Sequence, residues 1–218
     1  WNVGIKGHNP LTCSPMFAQK VYDKKGRPIL KMYEYERIRG VVYSVCATLA
    51  DDVLLVKTCI ENTRNESVPM YWWSNIAVPE TAGTRTIVPA KETFYCSYED
   101  GGYVLDATAL PNLEGKDITY AVNSPRSRDF FFKIPKEEEK WIAAVGEDGY
   151  GLLQFSDEAL TGRKMFVWGQ QNGGRHWNKW LSDRGDAYIE IQAGILKTQL
   201  EHFPMKARSE ISFTEGYC

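Results

Sequence analysis

The stretch RGVVYSVCATLADDVLLVKTCIE (residues 39–61) decides the fold. It contains two runs of β-branched and aromatic residues, Arg39 to Leu49 and Val53 to Glu61, on either side of Ala50-Asp51-Asp52. Runs of this composition that flank a short polar turn are typical of a β-hairpin. The stretch therefore predicts two antiparallel strands joined by a tight turn.

Strand-like runs continue along the rest of the chain, and turn signals separate them. They are Ile29 to Glu36, Met70 to Val78, Thr84 to Val88, Thr93 to Tyr98, Asp129 to Ile134, Trp141 to Val145, Gly151 to Phe155, Lys164 to Trp168, Ala187 to Ala193 and Glu210 to Glu215. Short helices are predicted only at Leu105 to Leu113 and His176 to Leu181. About a dozen short strands without βαβ alternation predict an all-β protein, an antiparallel sandwich or barrel.

Length and charge limit the classes of protein that are possible. The 218 residues are 43% hydrophobic with a net charge of -2, which indicates one globular domain spanning residues 1–218. The balanced charge argues against nucleic acid as a partner, and no apolar run approaches the roughly 20 residues of a membrane helix. Residues 1–40 are weakly patterned at their start, and the chain begins at Trp1, so we interpret it as a piece of a longer protein.

Cysteine and histidine spacing gives no sign of a metal or cofactor site. The five cysteines are odd in number and widely spaced, at Cys13, Cys46, Cys59, Cys96 and Cys218. They predict buried apolar thiols at Cys46 and Cys59 and a reducing, cytoplasmic location. His8, His176 and His202 share no metal-ligand spacing, and no phosphate-binding loop or dinucleotide fingerprint is present. We therefore expect no metal and no cofactor.

The first aromatic segment, Tyr71-Trp72-Trp73-Ser74-Asn75, lies in the predicted strand Met70 to Val78. Strand alternation predicts that Met70, Trp72, Ser74, Ile76 and Val78 share a core face, whereas Tyr71, Trp73, Asn75 and Ala77 share the other. A ring next to an amide is typical of sugar recognition, because the ring stacks on C–H groups and the amide binds hydroxyls. The alternative is that both tryptophans only pack.

The second aromatic segment, Val167 to Trp180, combines three tryptophans, four side-chain amides, a histidine, an arginine and three glycines. Residues of this kind are unfavourable in a hydrophobic core, because every buried amide needs a hydrogen-bond partner. The segment therefore indicates a flexible wall of a polar pocket, with candidate ligand-binding residues Trp168, Gln170, His176 and Trp177. The alternative is a structural plug in which Trp177 and Trp180 pack beneath the loop.

The third segment, Tyr188 to Gly194, alternates strictly, so Tyr188, Glu190 and Gln192 share a polar face. If Ile195 to Phe203 is extended, Gln199 and Glu201 continue that pattern. Two carboxylates, Glu190 and Glu201, would then reach one cleft, as acid–base chemistry on a sugar requires. The alternative is an ordinary strand with a solvated face.

These segments resemble the galactose mutarotase-like supersandwich superfamily. The sequence is similar, more closely, to an uncharacterised family of bacterial domains often fused to tetratricopeptide repeats. The matching stretches are Trp72 to Val78, Lys164 to Gln170, Tyr188 to Gly194, Thr198 to His202 and Thr214 to Tyr217, and the likeness extends from about Val41 to Cys218. It implies a twisted antiparallel β-sandwich that holds a saccharide on its concave face, within a parent chain that carries tetratricopeptide repeats.

The resemblance also exposes a departure. The mutarotase segment that supplies a histidine acid corresponds here to Trp72-Trp73-Ser74-Asn75, which contains no histidine. The mutarotase glutamate base corresponds to a position near Gln192, with Glu190 two residues away on the same face.

Three hypotheses of function follow from these residues. The first is a carbohydrate-binding domain that uses Trp73, Asn75, Trp168, Gln170, His176, Trp177, Glu190, Gln192 and Gln199. The second is a carbohydrate-active enzyme, an aldose epimerase or glycoside hydrolase, with Glu190 and Glu201 as catalytic residues. The third is a scaffold that contacts other proteins.

Overall fold

The computed structural model describes residues 14–99 and 102–218, so the expectations for His8 and Cys13 lie outside it. The chain divides into two compact units. The terminal unit comprises Trp1–Trp72 and Gln199–Cys218, and the central unit comprises Trp73–Thr198. In the part of the chain that is described, no helix is long and apolar enough to cross a membrane.

Five strands of the terminal unit pair in antiparallel fashion in the order β1-β2-β3-β4-β18. They are β1 (Phe17–Tyr22), β2 (Pro28–Glu36), β3 (Val41–Ala50), β4 (Val53–Asn62) and β18 (Glu210–Tyr217). The predicted hairpin is confirmed as β3 and β4: Ala50 pairs with Val53 across a two-residue turn. Asp51 takes a positive φ of 52°, which Asp tolerates better than most residues and which suits a hairpin turn.

A second, smaller pair of strands in the terminal unit joins β5 (Val68–Met70) to β17 (Phe203–Met205). The fully buried Asn62, the last residue of β4, forms hydrogen bonds to the backbone next to this pair of strands. Its Nδ2 donates to the carbonyl oxygens of Glu66, Met205 and Lys206 at 2.9, 3.2 and 2.9 Å. The two hydrogens of Nδ2 are shared among these three backbone carbonyls, so Asn62 connects the segment before β5 and the end of β17 to β4.

Six strands of the central unit form one antiparallel sheet in the order β6-β16-β15-β12-β8-β9. They are β6 (Trp73–Pro79), β8 (Glu92–Glu99), β9 (Gly102–Ala109), β12 (Arg128–Phe132), β15 (Gly162–Val167) and β16 (Tyr188–Gly194). A second group pairs in the order β14-β13-β7, with β7 (Arg85–Ile87), β13 (Trp141–Val145) and β14 (Gly151–Ser156). The remaining elements are β10 (Asn112–Leu113), β11 (Lys116–Asp117), a short 3-10 helix (Ala121–Asn123) and α1 (Asn172–Leu181).

The core of the central unit lies between these two groups of strands. Alternate residues of the six-stranded sheet point into it, and Ile142 and Ala144 of β13 meet them from the other side. The buried members from the six-stranded sheet are Val78, Phe130, Phe132, Met165, Val167, Ile189 and Ile191. The predicted fold class is confirmed: the protein is all-β, an antiparallel β-sandwich.

The structure corrects two predictions of local structure. The helix predicted at Leu105 to Leu113 is wrong, because this segment forms β9 and β10. The whole of β9 pairs with β8, from Glu92 opposite Ala109 to Glu99 opposite Gly102, and this pairing overrides the local helix preference of Leu and Ala. The condition that Ile195 to Phe203 is extended, on which the pattern of Gln199 and Glu201 depended, is not met, because residues 195–200 form bends and a turn.

The strand predicted at Met70 to Val78 is interrupted at Tyr71 and Trp72. Trp72 packs in the terminal unit against Tyr43 and Phe213, with ring centroids 6.2 and 5.7 Å away. Trp73 begins β6 of the central unit. The predicted faces therefore hold only from Trp73 onward, and Met70 and Trp72 do not share a strand face with Ile76 and Val78.

Candidate functional site

The six-stranded sheet has an outer face, opposite the core, which collects most of the predicted ligand-binding residues. Cross-strand register places Gln192 of β16 between Asn75 of β6 and Lys164 of β15. Glu190, two residues before Gln192 on β16, is paired with Phe166 of β15. Because side chains alternate along a strand, these residues all project from the same face. Three segments far apart in the sequence therefore meet here.

Asn75, Glu190 and Gln192 form a hydrogen-bonded group that we call the polar cluster. Oε2 of Glu190 accepts from Nδ2 of Asn75 at 2.7 Å and from Nε2 of Gln192 at 3.0 Å. Asn75 is exposed, Glu190 half-buried and Gln192 buried. Bonds from amides to a carboxylate are charge-assisted and fix its orientation, so Glu190 is held in place before any ligand arrives.

A buried ion pair lies next to the polar cluster. Nζ of Lys164 lies 2.6 Å from Oδ1 of Asp129, and both side chains are almost fully buried. The same ammonium lies 5.5 Å from the ring centroids of Phe131 and Phe166. Sequence reasoning missed this pair, although the alternation of Lys164, Phe166 and Trp168 in a predicted strand places them on one face.

Trp73 lies flat against the outer face rather than standing away from it. A Cβ built on Gly194 would lie 2.2 Å from Cε2 of Trp73, and one on Gly162 would lie 2.6 Å from Cη2. The indole therefore covers two glycines and meets Phe131 edge-on, with centroids 5.9 Å apart. This geometry favours packing for Trp73, and a stacking role in ligand binding stays a prediction.

Four aromatic residues continue from the outer face onto α1, and we call them the aromatic ladder. Tyr188 and Trp168 have ring centroids 6.0 Å apart, Trp168 and Trp177 6.0 Å, and Trp177 and Trp180 5.2 Å. Exposure rises along the ladder, from the half-buried Trp168 to Trp177 at 44% and Trp180 at 70%. The alternative in which Trp177 and Trp180 pack beneath a loop is therefore wrong.

The ladder is exposed because of how α1 sits on the sheet. A Cβ on Gly174 would lie 2.2 Å from the carbonyl oxygen of Trp168, so only glycine lets the first turn approach the end of β15. Gly174 and Asn178 face inward and are buried, whereas Trp177, Trp180 and Leu181 face outward. The predicted flexible wall is thus an ordered helix, which begins four residues before the predicted start at His176.

Gln170 and His176, the other candidate residues of the central unit, lie just before α1 and within it. Nε2 of Gln170 donates to Oε1 of Glu80 at 2.5 Å. Burial raises the pKa of Glu80, and this amide opposes the rise. His176 is exposed on α1. Gln199 and Glu201 belong to the terminal unit, outside the unit that carries Glu190.

Tyr188 joins the polar cluster to the aromatic ladder. Burial raises the pKa of its hydroxyl, the negative charge of Glu190 adds to the rise, and the indole N–H of Trp168 opposes it. Within residues 14–99 and 102–218, no three His, Cys, Asp or Glu side chains are grouped as metal ligands. The outer face thus presents a fixed carboxylate, amides and a phenol beside exposed indoles.

A family model described as a domain of unknown function, DUF5107, matches residues 1–213. The chain belongs to this family. The match includes the first 40 residues, which the resemblance seen in the sequence did not place.

Solved structures show where this fold occurs. A tetratricopeptide-repeat-domain-containing protein from Parabacteroides distasonis ATCC 8503 is 21% identical with a TM-score of 0.82, over 97% of this chain and 35% of that one. A galactose mutarotase-like protein from Clostridium acetobutylicum is 12% identical with a TM-score of 0.66, over 94% and 66% of the two chains. A putative aldose 1-epimerase from Escherichia coli K12 is 12% identical with a TM-score of 0.65, over 92% and 67%. The predicted galactose mutarotase-like fold is confirmed, and the chain spans about a third of the Parabacteroides protein.

Proposed function

We propose that the central unit binds a saccharide on the outer face of its six-stranded sheet. The main support for this proposal is that two amides hold the Glu190 carboxylate in a fixed orientation, two residues from Tyr188, the first ring of the aromatic ladder. The last two rings of the ladder, Trp177 and Trp180, are exposed. Sugar hydroxyls donate to carboxylate and amide oxygens, and the C–H face of a pyranose stacks on aromatic rings. The polar cluster and the ladder supply both kinds of contact side by side.

Each candidate residue of the central unit has a role in this proposal. The polar cluster binds hydroxyls, and Trp177, supported from behind by Trp168, provides the stacking surface. Gln170, already bonded to Glu80, and His176 on α1 line the approach. Trp73 stays a predicted contact, and Gln199, which belongs to the terminal unit, is given no role at this site.

The relatives support the ligand class and the setting. Proteins of the same fold include a putative aldose 1-epimerase and galactose mutarotase-like proteins, so a sugar ligand suits this type of sandwich. The Parabacteroides relative supports a parent chain that also contains a tetratricopeptide-repeat region. The free thiols of Cys46, Cys59, Cys96 and Cys218 support a cytoplasmic location.

Saturation-transfer proton NMR with a panel of neutral mono- and oligosaccharides tests the proposal. We expect transfer to at least one sugar, and at least a tenfold loss of affinity in Glu190→Gln and Asn75→Ala, because hydrogen bonds to a charged group contribute about 1.5–3 kcal/mol. Tyr150→Ala is the matched control, since Tyr150 is an exposed ring of the central unit that belongs to neither the polar cluster nor the ladder. Full affinity in folded Glu190→Gln would contradict the proposed site.

A second candidate function is catalysis on the same sugar, with Glu190 as the catalytic carboxylate; Glu201, the other predicted catalytic residue, belongs to the terminal unit and is given no part in this site. The fixed orientation of the Glu190 carboxylate favours it, because a general base must be held within reach of the proton that it removes. The anomeric signals in the same NMR tube decide between the two. Faster anomer exchange or new reducing ends, lost in Glu190→Gln, would make the protein an enzyme. Binding with static anomeric signals would leave it a binding domain, and silence across the panel would favour the protein-interaction scaffold.

A further inference from the structure

The aromatic ladder offers more ring surface than one sugar ring can cover. Glu190 and Tyr188 are two residues apart on β16, which is roughly 7 Å along a strand. From Tyr188 the ladder takes three more ring-to-ring steps, of 6.0, 6.0 and 5.2 Å, to reach Trp180. A single pyranose is about as wide as one of these steps.

The first two rings of the ladder lie at one end of the sheet. Tyr188 starts β16, and Trp168 follows the last residue of the antiparallel β15, so both lie at the same end of the sheet. Trp177 and Trp180 belong to α1, which begins five residues after β15 ends. The ladder therefore places four rings in succession, the first of them two residues from Glu190 on β16.

We propose that the ligand of this face is an oligosaccharide chain of several units, with one unit at the polar cluster and later units on Trp177 and Trp180. This inference rests on the proposed saccharide function. It explains why the indoles become more exposed along the ladder, up to 70% for Trp180. Trp177 and Trp180 are in ring contact and both exposed, and contiguous exposed apolar surface marks an interaction site.

Isothermal titration of the whole 218-residue chain tests the inference with glucose and with gluco-oligosaccharides of two, four and six units, in α-1,4 and β-1,4 linkage. We expect affinity to rise at least tenfold from one unit to four, which is about 1.4 kcal/mol. Trp180→Ala should reduce this rise to less than threefold, and Trp180→Phe, which keeps a ring, should restore part of it. Tyr150→Ala should show the full rise.

The outcomes separate this inference from the function on which it rests. Equal affinity for the monosaccharide and the tetrasaccharide would overturn the chain-length inference and leave the saccharide function standing. An undiminished rise in folded Trp180→Ala would also overturn it, since the added units would then bind elsewhere. Absence of binding at every length, in both linkages, would overturn both and leave the ladder as a surface for another protein.

Discussion

The contact between Trp73 and the two glycines beneath it gives a sharp test of the outer face. In Gly194→Ala, the new Cβ would lie 2.2, 2.4 and 2.6 Å from Cε2, Cδ2 and Cζ2 of Trp73. Carbon atoms in contact lie about 3.5–4.0 Å apart, so the indole must withdraw by more than roughly 1 Å. That movement also breaks its edge contact with Phe131.

The expected cost follows from these two effects. Overpacking a filled site costs about 1–3 kcal/mol, and loss of the ring pair costs about 0.5–1.5 kcal/mol. We therefore expect Gly194→Ala to lower the free energy of unfolding by about 2–4 kcal/mol, measured by urea denaturation. Gly173→Ala is the matched control, because a Cβ at that helical position meets nothing within 4 Å. Alanine there should be neutral or stabilising by up to about 1 kcal/mol.

A double-mutant cycle shows whether the ring or the backbone is responsible. In a Trp73→Ala background the obstructing indole is gone, so Gly194→Ala should cost less than about 0.5 kcal/mol. An equal cost in both backgrounds would refute the reasoning, because the strain would then lie in the strand itself. A negligible cost in the wild-type background would show that Trp73 does not lie over Gly194, and would return it to the candidates for ligand stacking.

Three further predictions concern other parts of the two units. Lys164→Met removes the lysine that pairs with the buried Asp129, so we expect the free energy of unfolding, measured by urea denaturation, to fall by about 3–5 kcal/mol. The double variant Lys164→Met/Asp129→Leu should recover most of this stability, and a fall below about 1 kcal/mol in the single variant would contradict the prediction. Asn62→Ala removes the hydrogen bonds that the buried Asn62 amide donates to three backbone carbonyls and should cost about 2–3 kcal/mol, whereas Asn172→Ala at an exposed position should change stability little. Burial and Glu210 raise the pKa of Cys59 to about 11, so its thiol stays protonated at pH 8. Its alkylation by iodoacetamide, followed by peptide mass spectrometry, should therefore be slow at pH 8 and rise about tenfold per pH unit up to pH 10; a plateau below pH 9 would show a lower pKa.

The strands that build the site could be predicted because each carries its pattern locally. Tyr188 to Gly194 alternates strictly, and its isoleucines are fully buried while Glu190 projects from the other face. The gathering of Asn75, Glu190 and Gln192 followed from the same alternation together with the resemblance. The alternation of apolar and polar residues correctly predicts which side chains share a face, because a sheet directs successive side chains of a strand to opposite faces.

Other features depend on residues that only the folded chain brings together. The orientation of Trp73 is set by Gly162 and Gly194, which come from two neighbouring strands. Nothing in the sequence near either glycine shows that the indole of Trp73 packs on it. The pairing of Lys164 with Asp129 likewise depends on the register of β15 and β12. Cys46 and Cys59 were expected to be buried, but both are half-exposed, because the face of the sheet they occupy is only partly covered. Tertiary pairing also decided against a helix at Leu105 to Leu113.

The ribosome finishes synthesising the two units at different times, because the terminal unit contains both ends of the described chain and the central unit lies between them. The central unit is one uninterrupted stretch, so all of its residues have been synthesised once Thr198 has left the exit tunnel. The terminal unit must wait, because β4 pairs with β18, from Glu61 opposite Glu210 to Leu54 opposite Tyr217. Until the last strand arrives, the hydrogen-bonding edge of β4 is open and able to pair with another nascent chain. A product truncated before β18 would therefore expose the unpaired edge of β4 and be prone to aggregation.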